Sequence, residues 1–126
     1  MIVGLGIDLC PVARMAAVLE RQGRLFVDRV FTAGEQARAG DSRVAAERYA
    51  ARFAAKEATI KALGAPRGLS WREMEVVSAP DGRPSLELHG IAEQRAGELG
   101  VARCHLSLTH AGGVAAAVVV LEREDP

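Results

Sequence analysis

Between Ser42 and Leu63 the chain contains no glycine and no proline, and alanine, arginine, glutamate and lysine fill most of the interval. These residues lose little on entering a helix, so the stretch predicts one long helix over 42–63, closed by Gly64 as a left-handed C-cap. With about 100° per residue and Tyr49 as origin, Ile60 falls near +20°, Phe53 near +40°, Glu57 near +80° and Lys61 near +120°, while Lys56 falls near −20° and Arg52 near −60°. Charge therefore invades the apolar stripe. Charged side chains beside a buried stripe need partners or a ligand, and this helix is where chemistry is to be sought.

The remaining elements follow from punctuation. Residues 2–8, IVGLGID, are a short apolar run ending in a carboxylate, the pattern of a buried strand that delivers Asp8 at its terminus. Pro11 suits the first turn of a helix, where its missing N–H would be unpaired anyway, and that helix spans roughly 11–22, up to Gly23. Thr32 stands three residues before Glu35, the spacing of a reciprocal capping box, so a short helix starts there and stops at Gly40. WREMEVV and SLELHG flank the turn PDGRP and form a hairpin. Residues 90–99 read as a helix ending at Gly100, and CHLSLTHAGGVAAAVVVLE reads as two strands around a His-Ala-Gly-Gly turn. Antiparallel hairpins with separate helices make the class α+β, in a single domain over 1–126.

Composition narrows the function. Sixteen basic and sixteen acidic residues cancel, which argues against nucleic acid as a partner. Only 4% of residues are aromatic, so small aliphatics build the core and subunit association is expected to supply missing burial. Cys10 and Cys104 have no metal-ligand or CxxC spacing, which fits reduced thiols in a cytoplasm. MIVGLGIDL lacks a charged n-region and reaches Asp8 too soon for a signal peptide or a membrane span, so a soluble cytoplasmic protein is expected. No GxxxxGK[ST] loop is present, and VGLGID lacks the third glycine of a dinucleotide fingerprint.

Asp8 and Glu57, converging with basic residues, would suit a hard cation such as Mg2+ that also binds phosphate oxygens. Two plainer readings stand beside this one. Glu57 and Lys61 can be an i,i+4 ion pair on a solvated face, worth ~0.2–0.5 kcal/mol, and Asp8 can cap the turn before Pro11. His105 and His110 lie in a hairpin, where a histidine is as readily structural as functional.

GIDLCPVAR, FT-x-x-E, RFAAKEATIKALG and HLSLTHAGGVAAAVVV, in this order over almost the whole chain, resemble the bacterial holo-acyl-carrier-protein synthases. The resemblance implies a 4′-phosphopantetheinyl transferase fold, an antiparallel sheet with a long central helix, assembled as a homotrimer with sites at subunit interfaces. It implies that a carrier-protein serine attacks the β-phosphate of coenzyme A, releasing adenosine 3′,5′-bisphosphate, a step that serves fatty acid biosynthesis. Carried onto this sequence, Asp8 and Glu57 would hold Mg2+, and Arg52, Lys56 and Lys61 would surround the pyrophosphate, with Lys61 steadying the leaving phosphate. Thr109 and His110 would contact the nucleotide end, and Gly64 would let the backbone approach the coenzyme. Arg14 and Arg21, seven apart and so about 20° apart on one helix face, would with Arg24 dock the acidic acyl carrier protein, unless they are merely solvated arginines. The acceptor of the serine proton stays open between Glu57 and a metal-bound water. A magnesium-dependent phosphohydrolase and an inactive trimeric interaction domain are the rival readings, and the intact Asp8, Glu57, Lys61 and His110 speak against the second.

Overall fold

The computed structural model describes residues 1–125. In chain order the elements are β1 (Ile2–Pro11), α1 (Val12–Gln22), α2 (Arg24–Val30), α3 (Ala33–Ala39), α4 (Ala45–Ala62), a 3-10 turn (Trp71–Glu73), β2 (Met74–Ser78), β3 (Pro84–Leu88), α5 (Gly90–Leu99), β4 (Val101–Ala111) and β5 (Val114–Arg123). β1, β5 and β4 make an antiparallel sheet in that spatial order, and β2 and β3 a separate hairpin. The α+β class is as the sequence implies.

Alanine and Tyr49, rather than the other large stripe residues, cover the core-facing surface of α4. Ala50, Ala54, Ala55 and Ala58 are fully buried, whereas Phe53 and Ile60 are only half-buried. The helix is central and has almost no solvated side, which explains why the stripe looked invaded by charge. It begins at Ala45 rather than Ser42, and its end is as the sequence predicts. Gly64, at φ 79°, donates to the Lys61 carbonyl at 3.1 Å and Ala65 to the Ile60 carbonyl at 2.9 Å, so the last turn closes in a Schellman motif.

Several boundaries differ from the sequence reading. The first strand runs on past Asp8 to Pro11 because β5 continues to pair with it as far as Val114. Pro11 consequently caps the first helix instead of entering it. Trp71–Glu73 is a 3-10 turn, and the strand of that segment starts only at Met74. α2 has no strong sequence signal, since seven residues are too few for a helix stable by itself. Tertiary contacts hold it: Val27 and Val30 are buried, and the Phe26 ring lies 6.0 Å from Phe31 and 6.1 Å from Phe53. The capping box of Thr32 and Glu35 is formed at the start of α3.

The two faces of the three-stranded sheet differ in kind. Ala115, Ala117, Val119 and Leu121 of β5 point into the core. On the opposite face Leu5, Ile7 and Leu9 pair with Val120, Val118 and Ala116, and these three β1 side chains are 63%, 62% and 58% exposed. An apolar stripe open to solvent along a strand is unusual for a monomer.

Candidate active site

The site begins with two glycines. The core-facing residues of β1 are Gly4, Gly6, Asp8 and Cys10, and a Cβ at Gly6 or Gly4 would collide with the backbone carbonyl of Ala58 or Ala62. Without side chains there, the backbone of α4 rests directly on β1. That contact brings Glu57 and Lys61 beside Asp8. Lys61 Nζ donates to the Ile7 carbonyl at 3.0 Å and lies 3.7 Å from Asp8 Oδ1. Burial, and then the Asp8 carboxylate, push the Glu57 carboxyl above its ordinary value, while Lys61 and Arg14 pull it down. Burial also raises the Cys10 thiol, helped by Glu57 and Asp8 and opposed by Arg14, so all of these groups share one neighbourhood. Two carboxylates pressed together at the cost of a raised carboxyl form a donor set that a hard divalent cation would relieve.

A second grouping lies on the other flank of α4. A cleft of about 440 Å³ is lined by Arg38, Arg48, Arg52, Ser78, Thr109 and His110, among others. Arg52 is buried, and its Nη1 and Nη2 donate to the Arg48 carbonyl at 3.1 Å and to Ser78 Oγ at 3.4 Å, while its Nε has no hydrogen-bond partner among the described residues. Burial draws the Arg52 guanidinium below its ordinary value; Glu35 opposes this, and Arg38 and Arg48 add to it. His110 Nδ1 is 3.7 Å from Glu47 Oε1 at the same cleft. An orphan buried donor among three arginines is a place for an anion.

The two groupings are separate within one chain. Arg48 and Glu57 are nine residues apart on α4, as are Arg52 and Lys61, which is about 180° around the axis. Arg52 therefore does not join Lys61 around one pyrophosphate within a subunit. Lys56 does not join either: its ammonium is fully buried, 2.8 Å from Glu35 Oε1, and donates to the Trp71 and Met74 carbonyls at 3.0 and 2.6 Å. All three of its N–H bonds are spent inside the core, so Lys56 has no donor left for a coenzyme.

The other expected residues lie at the surface. Arg14 and Arg21 are exposed on α1, whereas Arg24 opens α2 and is tethered to Asp28 at 3.4 Å and Gln36 Oε1 at 2.7 Å. The nearest group to a Cβ at Gly64 is the Arg95 guanidinium, whose Nε donates to the Leu63 carbonyl at 3.0 Å. His105 pairs with Glu122 at 2.9 Å and is part of the sheet edge. Arg38, Arg48 and Ser78 escaped the sequence reading. The i,i+4 spacing of Arg48 and Arg52 was the available signal for one of them. On the β2–β3 hairpin, Glu75, Glu87 and His89 gather ligand atoms within 4.8 Å of one another, a grouping separate from Asp8 and Glu57.

Comparison with known proteins identifies the family. Residues 4–119 match the family model of the 4′-phosphopantetheinyl transferase superfamily. The holo-[acyl-carrier-protein] synthases of Anaeromyxobacter dehalogenans and Salinispora arenicola are 50% and 52% identical, covering 100% and 98% of this chain and 100% of each relative. Among solved structures, the Neisseria meningitidis holo-[acyl-carrier-protein] synthase superposes with TM-score 0.87 at 30% identity over 98% of this chain and 100% of its own. The Helicobacter pylori enzyme, solved in complex with coenzyme A, gives TM-score 0.82 at 28% identity, covering 94% and 99%. The family match over most of the chain, with full-length relatives at half identity, places this chain in the 4′-phosphopantetheinyl transferase superfamily.

Proposed function

We propose that the chain transfers the 4′-phosphopantetheine group of coenzyme A to a serine of an apo-acyl carrier protein, giving the holo-carrier and adenosine 3′,5′-bisphosphate. The observation that carries this reading is the Asp8–Glu57–Lys61 group, in a chain half identical to holo-[acyl-carrier-protein] synthases over its full length. Asp8 and Glu57 are the residues that would hold Mg2+. When bound, the ion would supply positive charge against the pyrophosphate, whose displacement asks mainly for charge neutralisation and alignment.

The chain's own residues supply the rest. Lys61, anchored to the Ile7 carbonyl, stands where it can steady the phosphate that leaves. The serine oxygen attacks the β-phosphorus, a new P–O bond forms, and the P–O bond to the adenosine-bearing phosphate breaks. Glu57, made more basic by burial and by Asp8, is the proton acceptor this site offers to the serine hydroxyl. Arg52, Thr109 and His110 receive the nucleotide end in the arginine-lined cleft, together with Arg48 and Arg38. Arg14 and Arg21 present positive charge to the acidic helix of the carrier, with Arg24 contributing less because Asp28 and Gln36 already engage it.

The working unit is a homotrimer whose sites lie between subunits. Two observations support it: the exposed Leu5–Ile7–Leu9 stripe, and the placement of the carboxylates and the arginine cleft on opposite flanks of α4. Two copies in contact would let one coenzyme meet both groups. The domain extends over 1–126. Both cysteines are free, and among the described residues no helix is long and apolar enough to cross a membrane, which accords with a cytoplasmic enzyme.

Intact-mass analysis of an apo carrier protein after incubation with this protein, coenzyme A and Mg2+ tests the reading. A phosphopantetheine increment on the carrier is expected. Release of free phosphopantetheine with no increment would instead identify a hydrolase.

A further inference from the structure

We infer that the buried Glu35–Lys56 ion pair is a positioning device that sets the rotation of α4 about its axis, and thereby the placement of both functional groups that the helix carries. The inference rests on the transfer reading of Asp8, Glu57 and Lys61.

α4 has few large side chains with which to fix its rotation, chiefly Tyr49 and Phe53. Ridges of large side chains locked into grooves index one helix against its neighbours, but the buried surface here is mostly alanine. On the β1 side the contact is the bare backbone of Gly4 and Gly6, which permits close approach without offering a knob. Rotation matters to the chemistry, because the side-chain rim lies about 5–6 Å from the axis and a turn of about 10° moves it about 1 Å. Misplacement on that scale can lower a rate by about a hundredfold.

The ion pair adds directional bonds to the few ring contacts that packing supplies, Tyr49 against Phe31 and Phe53 against Phe26 and Trp71. Lys56 Nζ is held at once by Glu35 Oε1 and by the Trp71 and Met74 carbonyls. Glu35 is itself fixed, accepting from Thr32 N–H at 2.9 Å through Oε1 and from Val76 N–H at 2.8 Å through Oε2. One turn earlier Arg52 reaches Ser78, so Met74, Val76 and Ser78, alternate residues of β2, form a rail along which the helix is registered. Both Glu35 and Lys56 are 0% exposed. Replacing such a pair by apolar groups is often neutral for stability, so stability alone does not account for placing two charges here.

The test is the double variant Glu35→Gln/Lys56→Met, which removes both charges while keeping size. The expected result is a melting temperature within a few degrees of the unchanged protein, kcat lower by roughly tenfold or more, a several-fold higher Mg2+ half-saturation, and weaker calorimetric binding of adenosine 3′,5′-bisphosphate. A folded double variant with unchanged kcat and unchanged Mg2+ half-saturation would overturn the inference. If the double variant does not fold, Glu35→Gln alone keeps the Lys56 bonds to the Trp71 and Met74 carbonyls. It should show the same changes at about twofold to fivefold, and unchanged values there overturn the inference too. Failure of both variants to fold also overturns it, since the pair would then hold the fold rather than the rotation. Absence of transfer by the unchanged protein would count against the functional reading, a separate outcome.

Discussion

The two flanks of α4 are built on opposite plans. On the β1 flank the helix touches a strand whose glycines allow backbone contact, and the functional groups are short carboxylates packed close to one lysine. On the other flank an open cleft gathers long cationic side chains, one of which leaves a buried N–H without a partner among the described residues. The first plan suits a small hard ion that needs fixed oxygens, and the second suits an extended anion. The comparison teaches that one helix can carry two groups of opposite chemistry on opposite flanks, which the proposed association of copies would bring together.

The sharpest way to break this picture is Glu57→Gln. Transfer should fall by roughly 10²–10³-fold, because the charge proposed to hold the cation would be gone. The metal-free protein should melt a few degrees higher at neutral pH. The sign follows from the raised Glu57 carboxyl: an acid that is harder to ionise when folded penalises the fold as pH rises above its unfolded value, and glutamine removes that penalty. A solvated Glu57–Lys61 pair predicts the reverse, a loss of ~0.2–0.5 kcal/mol with turnover nearly intact. A Mg2+ titration beside a thermal melt distinguishes the two.

Ile7→Arg comes next in size. It places an uncompensated charge on the apolar stripe, so light scattering should report monomers and transfer should drop by roughly a hundredfold. A monomer with full activity would show that both flanks are served within one chain. Arg52→Ala should raise the KM for coenzyme A by about tenfold or more, leaving kcat less affected. Mixing this variant with Glu57→Gln sharpens the comparison further. Each supplies the half that the other lacks, so subunit exchange should restore part of the activity, and no recovery would argue for sites confined to one chain.

How much of this the sequence disclosed depended on distance along the chain. Asp8, Glu57 and Lys61 stand in compact motifs, and the strand and helix that carry them follow from apolar pattern and the absence of breakers. The cleft draws on α3, α4, β2, β3 and the end of β4, and nothing local marks Arg38 or Ser78 as neighbours of His110. Lys56 misled for the opposite reason. Its motif places it next to Glu57, yet one step along a helix is about 100°, enough to move a side chain from the site into the core. α2 stayed invisible because its stability lies in Phe26 and Val30 packing, not in its own seven residues.

The smallest expected effect concerns neither flank but the approach of the carrier. Arg14→Glu should raise the carrier's KM several-fold at low ionic strength, with the difference shrinking in salt, while Arg24→Glu should do less because Arg24 is already engaged by Asp28 and Gln36. Equal effects at both positions would mean that general charge, not a placed patch, guides the encounter.

The glycine contact between β1 and α4 has a bearing on how mutations in this chain will be read. Gly4 and Gly6 have no functional group, yet any side chain there must displace the Ala62 or Ala58 carbonyl and lift the helix from the strand. In a scan of single substitutions these two positions should look as intolerant as Asp8 itself, while their neighbours Val3 and Leu5 admit other apolar residues. Loss of activity would then appear at residues that touch no substrate, and the pattern would trace the line of backbone contact rather than the outline of a pocket.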